Sequence, residues 1–305
     1  MTEGSQPPSI TAFARQRANW QAWWPARAAA IMEATYARLH AAVDAWQLRD
    51  VKPIPSGEVA LVCSAMFDGE AVILKVSPDV DDESLVVEAR ALRAWQSSGV
   101  VPRVLASRDG DLSMLLEKLE PAIPLLEAEP DALRRIAILG ELARRLHQAS
   151  AEVDGIANLG ESAFVARRLH DLQGHRDAKV LRSLANDTSG RALLHMDLHG
   201  HNALNDRGSW KLIDPKPCVG DPHADVFVLI REDYPRDETV HELAELRIDC
   251  FASSAGLDVD RTRDWVRVCA RAEVGFLRSL PSPTSGRAEF LESLQRLVYA
   301  LDNSK

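Results

Sequence analysis

The 305-residue chain has little cysteine, and none of it is spaced as C-x-x-C: Cys63, Cys218, Cys250 and Cys269 lie far apart. Cysteines scattered in this way belong to a reduced interior, so structural disulfides are not expected. No stretch reaches the roughly 18 uninterrupted apolar residues that a membrane-spanning helix needs. The opening residues MTEGSQPPSITAFARQRANW lack the apolar core of a signal peptide, and the expected location is the cytoplasm. Positive charge is also in short supply, with 36 Lys and Arg against 45 Asp and Glu and a formal net charge of -9. Such a field repels nucleic-acid phosphates and anionic membranes, which leaves a neutral or cationic small molecule as the expected partner. There is no internal repeat, and the biased segments are short: SQPP near the start and SLPSPTSG at 279–286.

What is present is the balance of a globular enzyme, 46% apolar and 27% charged, at a length where one domain divides into two packed lobes. From Ala12 to Trp46 apolar residues recur at helical spacing, and Pro25 separates two helices. WQAWW in this region reads as core aromatics in preference to a stacking platform. VALVCSAMF and AVILKVS, joined by DGE, form an antiparallel hairpin, because Asp-Gly between β-rich runs favours a tight turn. DDESLVVEARALRAWQSSG is an amphipathic helix closed by Gly99, and VVPRVLASRDGDLSMLLEKL a second strand pair. Beyond residue 126 the pattern is helical at 130–150, 161–173, 177–186, 238–256, 260–279 and 287–301. Only 192–214 is β-like there. The expected fold class is therefore α+β, with a sheet-rich part over residues 1–120 and a helical part over 121–305.

The β-like stretch contains LLHMDLHGHNAL, residues 193–204. As a strand it would put His195, Asp197, His199 and His201 on one face, a constellation suited to zinc. Gly200 interrupts such a strand, and H-E-x-x-H and H-x-E with C-x-x-C are absent, so a zinc hydrolase is the weakest reading. Phosphoryl transfer uses more of the chain. Protein kinases place a base Asp and a magnesium-binding Asn in H-R-D-x-x-x-x-N, and His195, Asp197 and Asn202 stand at those spacings. Asp214 ends the β-like run WKLID, where kinases put a second magnesium ligand. Upstream, AVILKVS sets Lys75 on a strand, the next helix offers Glu88 as its partner carboxylate with Glu83 as fallback, and Gly57 supplies a turn over phosphates. A lone strand Lys or helix Glu is ordinarily a solvated charge. The ordered series is what carries specificity.

LLHMDLHGHNALNDRGSWKLIDPKPCVGDPHADV resembles the catalytic segment of the aminoglycoside and hydroxyurea phosphotransferases, the streptomycin 6-kinase-like enzymes. SGEVALVCSAMFDGEAVILKVSP, EARALRAWQSSGVVPRVL and MLLEKLEPAIPL are similar to that family's small lobe and hinge, in the same order. The resemblance implies a bilobal protein-kinase-like fold and ATP with Mg²⁺ as cofactors. It implies Asp197 as catalytic base, Asn202 and Asp214 as metal ligands, and Lys75 on the nucleotide phosphates with Glu88 as its ion-pair partner. It places the adenine against the backbone from Glu117 to Leu119. His195 is implied to orient the loop and Asp225 to brace it. Met196, where many relatives have Gly, and Pro217 with Cys218 depart from the family pattern.

The expected activity is transfer of the ATP γ-phosphate to a hydroxyl of a small molecule, with streptomycin or hydroxyurea as candidate acceptors. His199, Asp221, Glu232 and Asp233 are candidate acceptor contacts, since acids pair with the ammonium groups of an aminoglycoside, and Tyr234 is a further one. A kinase-like module that binds nucleotide without turnover is the competing reading. The retention of Lys75, Asp197, Asn202 and Asp214 together weighs against it.

Overall fold

A computed structural model describes residues 7–55, 58–80, 85–149, 153–232, 234–280 and 285–303. Gly57, Glu83 and Asp233, all singled out above, lie outside the described residues. The chain divides into two compact units. One comprises the described residues up to Gln96 with Pro102–Glu120; the other comprises Ser97–Val101 with the described residues from Pro121 onward.

The first unit opens with helices α1 (Ala14–Trp23) and α2 (Ala28–Ala45), separated around Pro25. Trp20 is fully buried and its indole N–H donates to the Val59 carbonyl at 3.1 Å, whereas Trp23 is half exposed. Strands β1 (Arg49–Pro53), β2 (Leu61–Phe67) and β3 (Glu70–Val76) follow, then α3 (Leu85–Ala94), β4 (Val104–Arg108) and β5 (Ser113–Glu117). They form an antiparallel sheet in the order β1-β2-β3-β5-β4. The β2–β3 turn is two residues long, with Phe67 opposite Glu70 and positive φ at both Asp68 and Gly69, the backbone that matches strand twist. Alternation sends Leu61, Cys63, Ala65, Val72, Leu74 and Val76 to one face, where they share a core with Phe13, Trp20, Ile31, Leu39 and Val43. Burying each large apolar side chain contributes about 1.5–3 kcal/mol before chain entropy is subtracted. The same alternation leaves Ile73 and Lys75 on the opposite face. Strand β1 is invisible to periodicity because it is a charged edge strand with one buried residue, Val51, and a bulge between Arg49 and Lys52.

The second unit contains β6 (Pro121–Pro124), α4 (Leu125–Ala128), α5 (Ala132–Ala149), α6 (Ala163–Asp171) and α7 (Asp177–Ala185). Strands β7 (Ala192–Leu194), β8 (Ala203–Asp206), β9 (Ser209–Leu212) and β10 (Cys218–Gly220) come next, and α8 (Phe227–Arg231), α9 (Val240–Ala255), α10 (Val259–Ser279) and α11 (Ser285–Asp302) complete it. Helices α5 and α9 approach closely at Gly140, where an added Cβ would meet the Ser254 Cβ at 2.7 Å and the Phe251 carbonyl oxygen at 3.0 Å. Strand β10 pairs antiparallel with β7, matching Cys218 to Leu194, and β8 with β9, matching Ala203 to Leu212. The loop after β7 and the segment before β10 are thereby held side by side. No helix among the described residues is long and apolar enough to cross a membrane.

Candidate active site

In the first unit, Lys75 sits near the end of β3 and its ammonium donates to both carboxylate oxygens of Glu88 on α3, at 2.8 and 2.7 Å. Their side chains are 12% and 9% exposed. Desolvating an ion pair costs much of its Coulombic gain, so a buried Lys–Glu pair is a poor stabiliser and a frequent mark of a working site. The Glu117 N–H is committed to the Arg103 carbonyl and its carboxylate to the Arg103 guanidinium at 2.7 Å, and Leu119 is buried.

In the second unit, the loop 195–202 leaves β7 and runs into β8. Its shape is set by Asp225, which is wholly buried and accepts three N–H groups: the His195 amide at 3.0 Å, the Met196 amide at 2.6 Å and Nε2 of His147 at 2.9 Å. Burial opposes ionisation of this carboxyl, but the hydrogen bond and charge from His147, with His195 and the Met196 amide, hold it below the usual carboxylate range. Met196 is thereby fixed at φ +61°, a left-handed conformation that a glycine would adopt without strain.

His195, fully buried, joins two segments. Its Nδ1 accepts from the Asp197 amide at 3.3 Å, which leaves the proton on Nε2 to donate to the Ile213 carbonyl at 3.1 Å. Burial drives the imidazole pKa down, and it stays neutral. Since Ala203 pairs with Leu212, Asn202 and Ile213 face each other at the open end of the β8–β9 hairpin, joined by the Ile213 amide to Asn202 carbonyl bond at 2.9 Å. Asp214 is next in line, at φ +61°.

Asp197 is 15% exposed at its side chain. Its Oδ2 receives the Asn202 side-chain amide at 3.3 Å, and its Oδ1 faces Nε2 of His199 and the Arg231 guanidinium, each at 3.5 Å. Burial alone would raise this carboxyl, yet the His199 hydrogen bond and the positive charges of Arg231 and Lys216 prevail and hold it far below the carboxylate range. The Asn202 amide nitrogen is spent on Asp197, so its Oδ1 is the atom left for a ligand. That oxygen and the Asp214 carboxylate are the hard donors Mg²⁺ prefers.

The histidines do not form a metal cage: among the described residues no three His, Cys, Asp or Glu side chains are placed to share an ion, and His195 spends both nitrogens on the backbone. Asp221 also departs from expectation. It is 2% exposed and accepts from Arg261 at 2.7 Å, Trp265 at 2.6 Å and His223 at 2.6 Å, so it stabilises the interior instead of meeting an acceptor. Glu232 is turned to Arg135 at 3.1 Å, and Tyr234 is buried with its hydroxyl on the Leu229 carbonyl. Sequence reasoning missed Arg231 and His147. Nothing in local spacing distinguishes either from an ordinary helix-end charge.

The chain matches the family model described as aminoglycoside/hydroxyurea antibiotic resistance kinase over residues 45–274. The chain belongs to the aminoglycoside/hydroxyurea antibiotic resistance kinase family. It is 31% identical to streptomycin 6-kinase of Streptomyces griseus over 73% of its own length and 76% of that enzyme's. It is 33% identical to hydroxyurea phosphotransferase of Kitasatospora aureofaciens, covering 73% of its length and 67% of that protein's. The crystal structure of a choline kinase from Streptococcus pneumoniae superposes with a TM-score of 0.54 at 15% identity, over 86% of this chain and 96% of that one, and shows the shared fold. As a member of this kinase family the protein is an α+β, protein-kinase-like phosphotransferase acting on small molecules.

Proposed function

We propose that the protein transfers the γ-phosphoryl group of ATP to a hydroxyl of a small acceptor in the cytoplasm, with streptomycin and hydroxyurea, the molecules named for its relatives, as first candidates. The observation that carries this reading is the constellation around Asp197: a partly exposed carboxylate, oriented through Asn202 and His195, on a loop fixed by the buried Asp225. Phosphoryl transfer asks a protein mainly to align the acceptor and place charge, and this arrangement is suited to both. Asp197 orients the acceptor hydroxyl. As that oxygen bonds to the γ-phosphorus, the bond to the bridging oxygen breaks with its electron pair leaving on ADP, and the hydroxyl proton passes to Asp197. Asn202 and Asp214 hold Mg²⁺, which when bound with the nucleotide neutralises phosphate charge. Lys75 contacts the nucleotide phosphates and Glu88 holds its ammonium in place.

The test is turnover of ATP with each candidate acceptor, read by the mass gain of the acceptor, alongside calorimetric nucleotide binding. Asp197→Asn is expected to bind MgATP like the parent and to lose roughly 10²–10⁴ in kcat. Parent-like transfer by that variant would remove Asp197 as the base. Nucleotide binding by the parent with no transfer to any acceptor would favour a silent binding module.

A further inference from the structure

Arg231 ends α8, whose preceding residues Phe227, Val228, Leu229 and Ile230 are all buried, so the last turn is firmly anchored. Its guanidinium lies 5.4 Å from the Phe227 ring centre and reaches Asp197 Oδ1 through one nitrogen at 3.5 Å, its one ion-pair contact among the described residues. The side chain is 48% exposed. A single long contact at a half-exposed site adds little stability, and most of the planar fork of donors is left over. The adjacent carboxylate does not neutralise it, because Glu232 is paired with Arg135. The Lys216 charge, of the same sign as Arg231, also acts on Asp197, and Nε2 of His199 stands 3.5 Å from the same Asp197 oxygen. Asp225, the acid that holds the loop, is buried and spent on backbone and imidazole N–H groups.

An acceptor whose hydroxyl reaches Asp197 must therefore place its neighbouring atoms against a guanidinium with spare donors. We propose that Arg231 is a specificity-determining residue that binds an oxygen acceptor, a carbonyl or carboxylate, next to the reacting hydroxyl. The chain accordingly selects compact neutral or anionic hydroxyl compounds of the hydroxyurea type and disfavours acceptors that carry guanidinium or ammonium groups beside the hydroxyl. This inference rests on the assignment of Asp197 made above. A guanidinium fork fits a planar oxygen pair or a carbonyl, while a cation at the same place meets like charge.

The experiment compares steady-state transfer by the parent, Arg231→Ala, Arg231→Lys and Arg231→Glu to hydroxyurea, acetohydroxamate and glycolate on one side and streptomycin on the other. The parent is expected to favour at least one carbonyl-bearing probe over streptomycin in kcat/KM. Arg231→Ala should raise the KM for that probe roughly 10- to 100-fold, the size of a lost charge-assisted hydrogen bond, with a smaller change in kcat. Arg231→Lys should restore part of it, since the charge returns without the fork, and Arg231→Glu should move the preference toward streptomycin. A parent that prefers streptomycin, or transfers to none of the carbonyl-bearing probes, overturns the inference. So does an equal fall in kcat for every acceptor at unchanged KM, which would put Arg231 on the moving phosphoryl group. Thermal melting of each variant separates these results from misfolding, with the Lys variant as the conservative control. Parent-like transfer by Asp197→Asn would strike the assignment of the base instead, whatever Arg231 does.

Discussion

His147 on α5 and Asp225, far apart in sequence, meet in the interior with Nε2 2.9 Å from Oδ2. The contact ties a helix of the second unit to the carboxylate that holds the amides of His195 and Met196, two residues before Asp197. The position of the proposed base is thus set from outside its own loop.

Asp225→Asn keeps the shape of the side chain and removes its charge. It leaves donors that the carboxylate had satisfied, and breaking such a buried charged network costs about 3–5 kcal/mol. The expected outcome is a lower melting temperature together with a lower kcat. His147→Gln, which preserves a donor, should lose less of both. A fully stable and active Asp225→Asn variant would show that the loop holds its shape without this clamp.

Stability should fall with acid in two stages. His195 is kept neutral by burial, its pKa lowered from 6.5, so below that value the unfolded chain takes up a proton that the folded chain refuses. Asp221 and Asp225 have pKa values lowered from 3.8 despite burial, chiefly through hydrogen bonds from His223 and Trp265 and from His147 respectively, so they lose their contribution as pH drops below the ordinary carboxylate value. In both stages the unfolded state binds more protons, and stability declines as pH falls. Urea midpoints from about pH 8 to about pH 3 should show a first loss starting near the imidazole range, absent in His195→Asn, and a second in the carboxylate range. A midpoint flat over the imidazole range would contradict the neutral, buried His195.

Gly140→Ala should destabilise the protein, although alanine favours a helix over glycine by about 1 kcal/mol. The added methyl would sit 2.7 Å from the Ser254 Cβ and 3.0 Å from the Phe251 carbonyl oxygen, so α5 and α9 would have to separate. Overpacking of this kind costs typically about 1–3 kcal/mol and should decide the sign. A melting temperature equal to or above the parent's would mean that the two helices yield more easily than their spacing implies.

The four cysteines are free, and burial pushes the thiols of Cys63 and Cys269 up to about 12 and about 11, with Cys218 raised further. Burial raises the Cys250 thiol too, but this residue is only half-buried where the other three are buried, and it should react first with a thiol reagent. Native protein should therefore titrate slowly and denatured protein should release four thiols. Rapid labelling of Cys63 or Cys218 in native protein would contradict their burial.

Much of the fold was legible because its signals are local. The hairpin turn at Asp68–Gly69, the alternation on β2 and β3 and the helical stripes of α5, α6, α7, α9, α10 and α11 each follow from neighbouring residues. The strands β1, β6 and β10 were not legible, since they are short or charged and exist through their pairing partners. Within the site, the order of a strand Lys and a helix Glu pointed to the Lys75–Glu88 pair, and the β8–β9 hairpin sets Asn202 opposite Ile213, one residue before Asp214.

The sequence by itself determined the series of chemical groups and their order, because H-x-D-x-x-x-x-N and the Asp just beyond a strand are fixed by chain geometry over a few residues. Only the tertiary structure decided which charges face that loop. Asp221 and Glu232 read from sequence as acids available to an acceptor, yet Arg261 with Trp265 and Arg135 consume them. No local pattern singled out Arg231, yet it stands beside Asp197. The reason is physical: alternation and helical period report which residues are apolar, whereas the partner of a charge is whatever distant segment packing brings within a few ångströms.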